Sequence, residues 1–173
     1  MELWDLYTRD RHLTGETHIR GTQLPPERYH LVVHVWIRNS RGEWLISQRA
    51  ANRPTFPLKW ESVGGSVTVG EDSLTGAIRE AKEEVGVDLD PQYGKLISST
   101  VREHFQDIKD VWLFLYDGEI DLRNATTDEV ADLRWMTVAE IRALYDAGEL
   151  VHTLGYFFEE KELGVSSLKA AHT

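Results

Sequence analysis

The stretch that most constrains this chain runs from Gly65 to Val87, GSVTVGEDSLTGAIREAKEEVGV. Its second half carries apolar residues at helical spacing, with Leu74, Ala77, Ile78, Ala81 and Val85 on one arc. At roughly 100° per residue, Glu83 falls about 60° to one side of Glu80 and Glu84 about 40° to the other. Three carboxylates therefore share one face beside the apolar arc. Burying that arc fixes them at the edge of whatever the helix packs against.

Like charges at i,i+4 destabilise a helix by roughly 0.2–0.5 kcal/mol per pair, so Glu80 and Glu84 are a local liability unless a cation sits between them. Oxygen-only donors suit Mg²⁺ or Mn²⁺ rather than Zn²⁺, and Mg²⁺ characteristically bridges carboxylates to substrate phosphates. Ser73 and Gly76 lie on the glutamate side, where small residues are expected to leave room for a phosphate. The plainer reading is a solvated acidic helix with Arg79 paired to Glu83, the ordinary one for an isolated E-x-x-E-E. The wider spacing changes that. Gly65, five residues, Glu71, seven residues, then Arg79-Glu80-x-x-Glu83-Glu84-x-Gly86-Val87 imposes many constraints at once.

That spacing resembles the Nudix box, G-x5-E-x7-R-E-U-x-E-E-x-G-U with U aliphatic, the signature of the Nudix (mutator T-like) pyrophosphohydrolases. Ala81 is small for the first U position. The resemblance implies a loop–helix–loop in which Glu80, Glu83 and Glu84 bind Mg²⁺ or Mn²⁺. Arg79 and Glu71 would form a supporting ion pair, with Gly65 heading the box beside them. Glu80, Glu83 and Arg79 form the expected catalytic set, and Glu83 is the expected combined ligand and base. The family does not place its base consistently, so Glu103, Asp107, Asp110 and Glu129 are further candidates, each against the plain reading of a solvated loop charge. The expected reaction is hydrolysis of a small-molecule organic pyrophosphate, a nucleoside diphosphate linked to another moiety.

The flanks resemble the subgroup related to isopentenyl-diphosphate isomerase, through Trp4-Asp5-Leu6-Tyr7, Gly15-x-x-His18, Tyr29-His30-Leu31-Val-Val-His34-Val-Trp36 and Ser62-Val63-Gly64-Gly65. Those isomerases use a cysteine just before the box; here Gly64 fills that neighbourhood, Ser66 stands where a histidine is often found, and the chain has no cysteine. Isomerase chemistry is disfavoured. His18, His30 and His34 are the residues a second metal would use, although histidines within an apolar strand are more often packed and hydrogen-bonded. A non-catalytic module sensing a nucleotide sugar is the other alternative, and an intact box argues against it.

Ahead of the box, Arg49 and Lys59 are candidate substrate contacts, each set against a surface ion pair. Trp36, Trp60, Trp112, Phe157 and Phe158 read as core. The net charge of −10 argues against a general affinity for nucleic acid or anionic membranes. Without a signal peptide or an apolar run long enough to span a bilayer, the expected location is cytoplasmic.

The pattern predicts an N-terminal hairpin from residues 2–8 and 12–20, strands at Tyr29–Arg38, Glu43–Gln48, Leu96–His104, Val111–Ile120 and Asp132–Met136, and a loop at 51–59. A helix from a Thr137/Glu140 capping box to Ala147 and a last helix over Leu150–Leu163 complete the reading. The expected fold is α/β, the Nudix α/β/α sandwich around a mixed central sheet, as a single domain over 1–173 with the hairpin extension at 1–24 and the box at 65–87. The hairpin, through Trp4, Leu6, Leu13 and Ile19, would cover the core or a partner subunit, so a homodimer is a candidate assembly.

Overall fold

The computed structural model describes residues 1–165. Its strands are β1 (Leu3–Tyr7), β2 (Leu13–Ile19), β3 (His30–Arg38), β4 (Trp44–Arg49), β5 (Trp60–Glu61), β6 (Val63–Ser66), β7 (Gly94–Arg102), β8 (Asp107–Leu115) and β9 (Val130–Met136). The helices are α1 (Ser73–Val85) and α2 (Val138–Asp146), with short 3-10 turns between elements. β1 and β2 form the N-terminal hairpin. The remaining strands form a mixed sheet in which β3 and β8 run parallel and β6 and β7 flank them antiparallel. β4 carries β5 and β9 antiparallel, touching β3 only near Arg38 and Trp44.

Two apolar clusters lie on opposite sides of this sheet, as an α/β/α sandwich requires. β3 supplies both by alternation: Val33, Val35 and Ile37 pack with Ala77, Ala81 and Val85 of α1, while Trp36 packs with Trp44, Ile141 and Phe157 on the other side. Trp36 and Trp60 are buried, as their composition suggests; Trp112 is partly buried and its indole donates to Ser73 Oγ at 2.8 Å.

The helix ends have local causes. Asp72 caps α1 by accepting from Thr75 N–H at 2.7 Å, and Gly86 closes it in the left-handed region at φ 70°. A β-carbon at Gly86 would also stand 2.6 Å from the Asn124 carbonyl carbon, so this glycine admits the 124–127 loop against the helix end. α2 has the expected Thr137/Glu140 capping box.

Three expectations are corrected. β7 and β8 are a tighter pair than predicted, turning at Glu103–Phe105 with Gln106 left-handed at φ 50°, so Asp107 and Asp110 are strand residues rather than loop charges. The last helix is two 3-10 segments, His152–Phe158 and Lys161–Leu163. Its start is held instead by Val151 N–H bonding to Trp60 O at 2.9 Å beside the parallel bridge from Leu150 to Trp60, which commits the backbone to extended geometry. Finally, Ser73 and Gly76 do not clear space for a phosphate. Both are buried, Ser73 under Trp112 and Gly76 against Val67, where a β-carbon would meet Val67 Cγ2 at 2.9 Å.

The hairpin covers the core through Trp4 and Leu6, whereas Leu13 and Ile19 are exposed. It is tied down by paired Tyr7–Tyr29 backbone bonds of 2.8 and 3.0 Å and by Val69 N–H donating to Leu3 O at 2.9 Å. Residues 166–173, included in the expected domain, lie outside the described residues.

Candidate active site

α1 delivers its glutamates to the side of β6. Gly65 lies so close to Glu80 that a β-carbon there would stand 2.2 Å from Glu80 Oε1. Glu84 is 7 % exposed, and its one hydrogen bond among the described residues is a long one from Gly64 N–H at 3.4 Å. A buried carboxylate so poorly satisfied is expensive to ionise. Burial first, then the charges of Glu80, Glu61 and Glu129, push the Glu84 carboxyl well above the usual carboxylate range. Burial likewise raises Glu80 to about 7, despite the opposing pull of Arg79.

Arg79 is the counterweight. It donates to Glu71 through Nε at 2.7 Å and Nη2 at 3.0 Å, to Glu80 at 3.1 Å, to Glu83 at 3.0 Å and to the Ser66 carbonyl at 2.9 Å. Burial opposes its charge, but Glu71 and Glu80 outweigh that and hold the guanidinium protonated. Glu71 is in turn kept below its usual range, because the bonds from Arg79 and from Thr68 N–H exceed the effect of burial.

The structure thus brings Glu71, Arg79, Glu80, Glu83, Glu84 and Gly65 together. It adds Glu61, which the sequence reading passed over, and brings in Glu129, one of the four further candidates for the base. Glu61 lies on the Glu84 side of the cluster, raised by burial and paired with Arg49 Nη1 at 2.7 Å. Strand alternation counted back from Gly65 through Val63 reaches Glu61, a signal present in the sequence. Glu129 faces the same group and pairs with Arg53 at 3.1 Å. Its approach follows from the loop before β9, where Thr126 and Thr127 N–H bond the Glu83 carbonyl at 2.9 and 3.1 Å.

Other candidates lie elsewhere. Lys59 donates to Gly148 O at 2.7 Å, on the α2 side. Asp107 is buried and paired bidentately with Arg102, at 2.7 and 2.6 Å, and Asp110 is fully buried with Arg11 at 2.7 and 2.6 Å. Glu103 accepts from Tyr29 Oη and Arg9, both at 2.5 Å. The histidines do not converge. His18 Nε2 lies 3.1 Å from Thr22 O, His30 stacks on Trp4 at 3.8 Å with its Nδ1 unbonded, and His34 lies 2.8 Å from Tyr156 Oη.

Whether a divalent cation suits the carboxylates can be judged from the donors themselves. Among the described residues no three His, Cys, Asp or Glu side chains are already splayed around a common centre. Arg79 accounts for this, since it occupies Glu80 and Glu83. The donor set is nonetheless all oxygen, and Glu84 is a buried carboxyl whose ionised form has no positive partner among its contacts in the described residues. Both properties fit a hard cation such as Mg²⁺ or Mn²⁺.

Comparison with known proteins agrees with this geometry. The NUDIX domain family model matches residues 28–154. The chain is 36 % identical over 177 residues to an uncharacterized Nudix hydrolase of Listeria monocytogenes, covering 99 % of each protein. It is 40 % identical over 163 residues to another from Listeria innocua, covering 91 % of each. Among solved structures, DR0079 from Deinococcus radiodurans superposes with a TM-score of 0.68 at 25 % identity, over 87 % of this chain and 92 % of that one. A family match across most of the chain, full-length relatives and a carboxylate helix at the box position lead to one conclusion: this chain belongs to the Nudix family of pyrophosphohydrolases.

Proposed function

We propose that the chain is a Mg²⁺- or Mn²⁺-dependent hydrolase of a nucleoside diphosphate linked to another moiety. The observation that carries this reading is the buried, under-satisfied Glu84 beside Glu80, with Glu61 and Glu129 adding negative charge. Glu80, Glu83 and Glu84 would hold the ion. When bound, it neutralises the diphosphate and polarises its P–O bonds.

The chain's own residues do the rest. Glu83, more exposed than its neighbours with 39 % of its side chain accessible, takes the proton from the attacking water. Glu129 is the second candidate for that proton, since it reaches the cluster from a separate loop. Arg79 orients Glu80 and Glu83, and Glu71 orients Arg79. Arg49, bound to Glu61 and the Thr55 carbonyl, would contact a substrate phosphate by exchanging one of these partners for it. The isomerase alternative lacks its cysteine acid.

The test is a screen of purified protein with Mg²⁺ or Mn²⁺ against ADP-ribose-like substrates, dinucleoside polyphosphates, nucleotide sugars and prenyl diphosphates, following phosphate after phosphatase coupling. Monophosphate release is expected, and Glu83→Gln is expected to lower kcat by about 10²–10⁴-fold, the usual worth of a general base. Full activity in Glu83→Gln would remove that residue from the chemistry.

A further inference from the structure

Beside the carboxylate site lies a cavity of about 210 Å³ whose lining includes His34, Glu61, Gly64, Gly65, Arg102 and Thr153. It touches the carboxylate site through the glycine pair of β6. Gly64 faces the cavity side, where a β-carbon would meet the Val33 carbonyl at 2.7 Å and His34 Cδ2 at 3.6 Å. Gly65 faces Glu80. Gly65 and Glu61 line the cavity and also neighbour Glu80 and Glu84, so the cavity adjoins the carboxylates and one substrate can place its diphosphate at the glutamates and its organic group beside His34.

The neighbours of His34 favour one tautomer. Trp36 Nε1 lies 2.9 Å from Tyr156 Oη, and an indole nitrogen can only donate. The Tyr156 hydroxyl therefore accepts from Trp36, and its own proton has His34 Nδ1, 2.8 Å away, as its acceptor among the described residues. With the Tyr156 hydroxyl donating to Nδ1, the ring hydrogen of His34 sits on Nε2. Burial, with the nearby charges of Lys109 and Arg102, lowers the imidazole to about 3, so it stays neutral. Lys109 Nζ stands 3.9 Å from the Tyr156 ring centroid and closes the network from behind.

We propose that His34, presenting Nε2–H into this cavity as a fixed neutral donor, selects diphosphates whose organic group carries an uncharged hydrogen-bond acceptor, such as a sugar or nucleobase, over purely hydrocarbon diphosphates. This rests on the pyrophosphohydrolase reading above and names the substrate class it serves. A neutral donor favours a carbonyl, hydroxyl or ring nitrogen and gives no advantage to a second anion. A hydrocarbon tail would strip water from Nε2–H and leave it unpaired, the situation in which polar sites discriminate most strongly. The volume, below the roughly 300–1,000 Å³ of pockets for drug-sized ligands, suits one ring rather than a whole nucleoside diphosphate.

Two measurements on the full chain test this. Long-range ¹H–¹⁵N spectra should show His34 as the Nε2–H tautomer, untitrated down to pH 5, in wild type. Titration with AMP, GMP, CMP or UMP should shift the Nε2–H resonance, and isopentenyl monophosphate should not. In kinetics, His34→Phe should lower kcat/KM by about 10–100-fold on ADP-ribose, mainly through KM, with isopentenyl diphosphate turnover unchanged or raised. Tyr156→Phe should release the tautomer and give a smaller loss in the same direction. An Nδ1–H tautomer, no shift with any nucleotide, or equal losses on both substrates would overturn the proposal. Absence of any metal-dependent hydrolysis would instead count against the proposed function, leaving the resonance titration to decide the role of His34.

Discussion

Arg79 grips Glu71 with two nitrogens, Nε at 2.7 Å and Nη2 at 3.0 Å, while its remaining nitrogen reaches Glu80 and Glu83. Glu71 therefore decides how much of the guanidinium is left for the glutamates that would hold the cation. Replacing Glu71 with Gln removes the charge that draws Arg79 away, and Arg79 then competes with the metal for Glu80 and Glu83. We expect Glu71→Gln to raise the Mg²⁺ concentration for half-maximal activity by roughly 10–100-fold, the usual effect of an outer partner on a metal site. A Mg²⁺ titration of the initial rate measures this. An unchanged midpoint would show that Glu71 acts only on the loop it closes.

Glu84 is buried and its neighbours are mostly of like charge, so metal-free protein carries its cost in full. Glu84→Gln keeps the shape and removes the charge. In EDTA the variant should be more stable than wild type by about 1–3 kcal/mol, the scale of an unsatisfied buried polar group. In Mg²⁺ the order should reverse, because wild type gains binding energy that the variant has lost. Urea unfolding with and without Mg²⁺ gives both values. A variant less stable than wild type in EDTA would mean that Glu84 already has a cationic partner.

The same groups set the sign of the pH dependence. Glu80 rises from an ordinary 4.5 to about 7 in the folded chain, and Glu84 rises with it. A raised folded-state value contributes stability below pH 4.5 that is lost as pH climbs through 7, at up to roughly 1.4 kcal/mol per unit and per group. His30 and His34 act in the opposite sense, lowered to about 4 and about 3, so their contribution is present above 6.5 and lost on acidification. The two trends partly cancel in wild-type Tm. The increment in Tm from Mg²⁺ isolates the carboxylates, because the cation competes with their protons. That increment should grow from pH 5 to pH 8. A flat or falling increment would place the cation away from Glu80 and Glu84.

The box was legible because its spacing is local: nine fixed positions within one loop and one helix determine the cap, the apolar arc and the glutamate face. Glu61 was harder to see, and Glu129 was only one candidate among four, since each reaches the cluster through pairing between distant segments. Thr126 and Thr127 docking on Glu83 O brings Glu129 in, and nothing in the local pattern announces that contact. Asp107 and Asp110 misled for a related reason. Two aspartates near a turn read as solvated, and only partners far along the chain or across the hairpin, Arg11 and Arg102, make them buried strand residues. The Leu150–Leu163 segment has helical apolar spacing, but a tertiary bridge to Trp60 overrides it.

Arg11 and Asp110 clamp the N-terminal hairpin to β8. Arg11 sits at the hairpin turn with φ 65° and reaches across to Asp110, bonding both carboxylate oxygens at 2.7 and 2.6 Å and Ser99 Oγ at 2.9 Å. Asp110 is completely buried; burial alone would raise its pKa, but Arg11, Ser73 and Ser99 reverse this and keep it below its usual range. Arg11→Ala leaves a buried carboxylate with hydroxyl partners only, which should cost about 3–5 kcal/mol. Arg11→Ala/Asp110→Asn should recover part of that loss, because the second change removes the stranded charge. Specific activity measured at low temperature on the folded fraction should stay near wild type in both, since the pair clamps the hairpin rather than handling the substrate. If Asp110→Asn abolishes turnover while the urea midpoint stays put, Asp110 acts in the chemistry and the clamp assignment is wrong.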